Sequence, residues 1–198
     1  MNIHDLKCRF DGDKNSYAYV DTKKKYDLLV SYEEWASGGL YDMEPLEAMC
    51  FGEEIGKKLK KKPTRVNGKT CYQFDSDRRI IIRQEGTELP NRFNEEFFSY
   101  EDNEINSVRF GTTQNLINAK SRILSEGKII KVLSVGTYGD RTKLFNYENG
   151  IVVSIDVEEI SRGQTQTYCI AIGYDDEGNV KHIARLFPNG YKETIYPR

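Results

Sequence analysis

Residues 151–160 read IVVSIDVEEI. Ile151, Val153, Ile155 and Val157 fall on one side of an extended chain, while Ser154, Asp156 and Glu158 fall on the other. Successive side chains of a strand point to opposite faces, so this alternation marks a strand with one packed face and one wet face. Across the turn SRGQ the pattern returns in Tyr168, Ile170, Ile172 and Tyr174.

Working outward, the same reading places strands near residues 129–136, 142–148, 151–160, 165–174, 179–187 and 191–196, separated by NYENG, SRGQ, DDEGN and PNG. Such short, Gly- and Asn-bearing connections join antiparallel neighbours. Immediately upstream, TTQNLINAKSRILSEGK (residues 112–128) sets Leu116, Ile117, Ala119, Ile123 and Leu124 on one helical side. Gly127 suits a helix C-terminus, so a helix over 112–127 is expected to cover the packed face of the sheet.

In the first half, DGDKN (residues 11–15) separates IHDLKCRF from SYAYVDT, and KYDLLVSY follows; all three read as strands. Residues 45–62, PLEAMCFGEEIGKKLKKK, read as a helix opened by Pro45 and stopped by Pro63. Asn67-Gly68 marks a hairpin between TRV and KTCYQF, and RRIIIRQEG adds a strand. The fold class expected is α+β with mainly antiparallel sheet. A C-terminal six-stranded meander covered by one helix occupies residues 109–198, and a smaller strand–helix–hairpin part occupies residues 1–108.

The 198 residues can bury a core of their own, and an apolar content of 38% with 12% aromatics belongs to a globular chain. A net charge of −2 gives no overall attraction to nucleic acid or anionic lipid. No apolar run approaches the roughly 20 residues that span a bilayer, and the opening MNIHDLKCRF has no basic-then-apolar leader pattern. No membrane association is expected. Cys8, Cys50, Cys71 and Cys169 are widely spaced with no C-x-x-C pair, which suits reduced thiols in a cytoplasmic protein.

Chemistry-bearing motifs are sparse. The calcium-loop spacing that starts in DGDKNSYAYVDT lacks the Gly and the final Glu that such loops use. Asp75 and Asp77 could flank an ion, but Arg78 and Arg79 follow and neutralise them equally well. No metal and no cofactor is expected, and neither a nucleophile elbow nor a phosphate loop is present. His182 alternates with Val180, Ala184 and Leu186, as a core histidine would. Its functional alternative is the general base of a metal-independent ribonuclease, with Arg185 stabilising the phosphate.

Charge is distributed unevenly. Residues 27–54 hold eight acids and no Lys or Arg, interleaved with Tyr32, Trp35, Tyr41 and Phe51. Directly after them, GKKLKKKPTR (residues 56–65) carries six cations: Lys57, Lys58, Lys60, Lys61, Lys62 and Arg65. Aromatic anchors among carboxylates suit a surface that docks a basic protein or nucleoprotein. The leading expectation is a non-enzymatic binding module that uses Glu33, Glu34, Trp35, Tyr41 and Asp42; an inhibitor such as an immunity or phage-type anti-defence protein fits that description. The alternative is a nucleic-acid binder that grips phosphates with the lysine run, although a helix C-terminus disfavours anions there. A third reading, a small-molecule site inside a curved sheet, depends on shape.

Overall fold

The computed structural model describes residues 1–12, 14 and 17–197. Among them, twelve strands form one antiparallel sheet in strict sequence order. These are β1 (Tyr32–Ala36), β2 (Thr70–Phe74), β3 (Ile80–Gly86), β4 (Phe93–Glu101), β5 (Glu104–Phe110), β6 (Leu116–Ser125), β7 (Lys128–Gly136), β8 (Gly139–Glu148), β9 (Ile151–Ser161), β10 (Gln164–Tyr174), β11 (Val180–Leu186) and β12 (Lys192–Tyr196). The helices are few: α1 (Ile3–Gly12), α2 (Tyr17–Asp27) and the single turn α3 (Glu47–Cys50). The chain is therefore mostly antiparallel sheet, as the alternation around β9 implies. A register shift opposite Asn146/Tyr147 makes Val152, rather than Val153, the fully buried residue at the start of that strand.

Five connections are two residues long, and three of them are Glu126-Gly127, Asn149-Gly150 and Arg162-Gly163. In these three, all six residues have positive φ, the backbone of a type I′ turn whose twist matches that of the strands it joins. Gly127 is thus a hairpin residue and not a helix cap.

Several local expectations are corrected. Residues 112–127 form no helix; most of them are β6. The strand escapes a period-two reading because Lys120 and Arg122 point inward on one face and bury their charges there, while Ala119 and Ser121 pack on the other. The helix expected over 45–62 shrinks to α3, entered through Leu46 at φ 58 and left at Gly52, also at positive φ. IHDLKCRF is helical. Asn2 caps it by accepting from Asp5 N at 3.0 Å, Asp5 returns the bond to Asn2 N at 3.2 Å, and Leu6 and Phe10 are buried one turn apart. SYAYVDT lies largely in α2, and KYDLLVSY is split between the end of α2 and the start of β1. The DGDKN turn includes Asp13 and Asn15, which lie outside the described residues. The boundary expected between residues 108 and 109 falls within β5, which pairs with β4 and β6 on its two sides.

One face of the sheet carries α1 against β6 and β7 and α2 against β4. Leu6, Phe10 and Tyr19 pack there on Phe97, Phe110, Leu133 and Val135. The opposite face receives the connection from β1 to β2. Leu46, Met49 and Cys50 join Val132, Phe145, Ile155, Ile170, Ile183 and Ile195 in a second core, and α3 also touches β12. The sheet wraps around this segment.

Candidate functional site

The wrapped segment is the acid-only stretch, and the sheet supplies its counter-charges. Register pairing puts Arg83, Glu96, Ser107, Lys120, Arg122 and Lys143 on the face that meets it. Glu44 bonds Lys143 Nζ at 2.7 Å and Lys120 Nζ at 3.0 Å, with the Arg122 guanidinium at 3.7 Å. Glu47 reaches Arg83 at 3.3 Å and Lys120 at 3.7 Å. Glu96 accepts from Arg83 at 2.6 Å and from Ser107 Oγ at 2.6 Å, and Arg122 lies 3.4 Å away. Both guanidiniums also approach the Phe98 ring, at 5.9 and 5.5 Å. Burial alone would raise the Glu44 carboxyl, but Lys120, Lys143 and Arg122 outweigh it and hold the group well below its usual range. Glu47 and Glu96 follow the same logic: burial raises them, and the cations led by Arg83 lower them further than burial can offset.

Beside this network the segment and the sheet enclose a cavity of about 390 Å³. Tyr41, Asp42, Phe51 and Glu53 line it from the loop, and Glu85 and Arg109 from the strands. Arg109 is tied to Glu85, and Lys120 and Arg83 are tied to the buried acids. Asp42 and Glu53 stand exposed at the lip. Asp42 accepts from Ala48 N at 3.1 Å; close packing pushes its carboxyl up, and that backbone bond offsets part of the rise. Tyr41 is fixed edge-on to Tyr72, with ring centroids 5.0 Å apart. Its hydroxyl donates to Glu34 at 2.7 Å, which pushes its pKa up to about 12.

Of the five residues expected to form the acidic-aromatic surface, only Tyr41 and Asp42 line the cavity. Glu34 supports Tyr41 from β1. Trp35 is 6% exposed, packs edge-on to Phe93, and donates its indole N–H to Glu33 at 3.0 Å. By the register, Trp35 and Glu33 lie on the face that carries α1 and α2. The lysine run is not a helix end. It crosses the edge of β1, where Ser37 N bonds Lys57 O at 2.9 Å and Leu59 N bonds Trp35 O at 2.7 Å. Lys58 pairs with Glu34, and Lys62 lies 5.4 Å from the Trp35 ring centroid. Lys57, Lys60, Lys61 and Arg65 are exposed. His182 is exposed with its ring over Gly173, whereas Arg185 is on the opposite face, 3.1 Å from Glu193; the fold does not bring them together.

Phe51 and Glu53 were counted in the sequence without being singled out for the site, and Glu85 and Arg109 went unnoticed. The first two belong to the acid-only stretch itself, but the last two are visible only through strand register. Another missed pair is His4 and Cys8, 3.8 Å apart on α1. They share a face only at helical spacing. Burial pushes the Cys50 thiol up to about 11 and that of Cys71 up to about 12, which makes both poor nucleophiles at neutral pH. Asp75 is closed by Arg79, which bonds it through backbone and side chain. Among the described residues, no three His, Cys, Asp or Glu side chains stand close enough to hold a metal ion, and no helix is long and apolar enough to cross a membrane. No known family matches the chain, and no curated protein does.

Proposed function

We propose that the protein is a non-enzymatic binding module for a basic protein partner, an Arg or Lys side chain of which enters the cavity beside Tyr41. One observation carries the reading: three of the cavity's four lining cations, Arg83, Arg109 and Lys120, are already engaged by carboxylates, leaving Lys69, while Asp42 and Glu53 face outward at the lip beside the Tyr41 and Phe51 rings. An incoming guanidinium would meet carboxylates at the mouth and aromatic faces within, the combination that selects cations. The partner's positive surface would be steered by the same acids, and occupying it would make this chain an inhibitor.

The test is a titration of the isotope-labelled protein with an Arg-Arg tetrapeptide, followed by NMR, with the citrulline analogue as control. Shifts centred on Tyr41, Phe51 and Glu85, absent with citrulline and lost in Glu53→Lys, are the expected result. Equal responses to the two peptides would sink the proposal.

A second reading rests on Lys57, Lys60, Lys61 and Arg65, which are exposed on a loop free of any helix dipole. They suit phosphate contacts whose strength falls steeply with salt. Single-stranded oligonucleotide binding that vanishes in Lys60→Glu/Lys61→Glu would favour it.

A further inference from the structure

The helix-bearing face of the sheet is covered unevenly. Over β6 and β7, α1 lays Leu6 and Phe10 on Ala119, Leu133 and Val135, and Lys7 reaches Asp140 at 3.1 Å. Among the described residues, α1 reaches β8 through Lys7 and Asp140, and no helix covers the same face beyond that contact. The register aligns Leu144, Asp156, Cys169 and Leu186 in one row across four strands, with Thr142, Glu158 and Thr167 in the next. Leu144 is 44% exposed and Leu186 39%. Together with Phe187 and Pro188 these rows form an open groove of about 460 Å³, in which Asp156 and Glu158 are the only charged lining residues.

We infer that this groove docks an amphipathic helix of a protein partner, apolar on the side it lays down and basic along its flanks. The molecule supplies the pattern: α1 covers the adjoining strands with two apolar residues one turn apart and a lysine that reaches an aspartate. The next stretch of the face offers the matching leucines and carboxylates without a helix of its own. A second copy of the chain fits poorly, because two such grooves face to face would set Asp156 and Glu158 of each copy against one another, with Lys131 and Lys192 only at the two ends of the row. Anionic lipid is repelled by the same acids. The inference is independent of the cavity at Tyr41, which opens on the opposite face.

Three 18-residue peptides of helical propensity, labelled with a fluorophore, test it against the full chain. The first has a leucine stripe flanked by lysines, the second the same stripe flanked by glutamates, and the third the first composition scrambled. The lysine-flanked helix is expected to bind at least about tenfold more tightly than either control. Its NMR shifts should fall on β8–β11. Leu144→Ser/Leu186→Ser should abolish binding, and Asp156→Asn/Glu158→Gln should weaken it about tenfold and flatten its salt dependence. These side chains are exposed, so unchanged thermal melting certifies the fold. Glu53→Lys should leave this binding unchanged, which separates failure here from failure of the cavity reading. Equal binding of the scrambled peptide, shifts elsewhere on the molecule, or a dimer dissolved by Leu144→Ser would each overturn the inference.

Discussion

On one face of the sheet, α1 and α2 lay Leu6, Phe10 and Tyr19 on a bed of Phe97, Phe110, Leu133 and Val135. On the other, the loop bearing α3 lays Glu44 and Glu47 on Arg83, Lys120, Arg122 and Lys143. Both are docking events between a connecting segment and a sheet, but they obey different rules. Apolar burial is non-directional and tolerates rearrangement, because its strength follows the area removed from water. Buried charges demand complete partnering, since each unpaired one carries a desolvation cost that nothing returns. The helix face should therefore yield gradually to mutation and the loop face abruptly.

The largest effect expected is at Arg122, which is fully buried and serves Glu44, Glu96 and Ser107 together. Arg122→Ala should cost about 3–5 kcal/mol of unfolding free energy in urea titrations, because two carboxylates lose a counter-ion. Leu6→Ala on the helix face should cost about 2–4 kcal/mol by the same measurement, through lost burial and a residual cavity. If Arg122→Ala proves the milder of the two, the contrast between the faces fails.

Acid should separate the faces next. Glu44, Glu47 and Glu96 have folded pKa values depressed below the ordinary 4.5. The stability they contribute is complete above that value and is lost as pH falls through the depressed ones. Urea midpoints should stay level from pH 7 to about pH 5 and drop below pH 4.5. Glu44→Gln should be weaker at pH 7 and show a shallower acid decline. A wild-type decline that Glu44→Gln leaves unchanged would show that other groups set the acid limit.

A smaller change is expected from Tyr41→Phe, which removes a hydrogen bond to a carboxylate at a part-buried site: about 1–2 kcal/mol in the same assay. The smallest is Glu53→Gln, exposed and in no ion pair among those described. It should stay within about 0.5 kcal/mol of wild type while removing one acid from the cavity lip.

Legibility in the sequence followed the same division. The strands from β7 to β12 could be read because apolar and polar side chains alternate and three of the five turns carry Asn-Gly or Arg-Gly. β6 could not, because its inward Lys120 and Arg122 look like surface residues until the opposing glutamates are known. α1 was misread because eight residues with Leu6 and Phe10 apolar satisfy either period over so short a window. In the acid-only stretch, a demand for positive charge was legible, and part of that demand is met within the chain by Arg83, Lys120, Arg122 and Lys143. Tyr41 and Asp42 were named from the sequence for a partner surface, and they line the cavity; Glu85 and Arg109 become neighbours of theirs only through the register of β3, β4 and β5.

The strict sequence order of the strands also bears on how the molecule assembles. From β2 onward each strand pairs with the next across a short turn, so that part of the sheet can grow hairpin by hairpin at little loop-closure cost. The salt bridge between Glu44 and Lys143 spans 99 residues and presupposes strands β3 to β8 already in place. Seating of the acidic loop should therefore be the late event of folding. Its substitutions should speed unfolding while leaving the refolding rate nearly untouched.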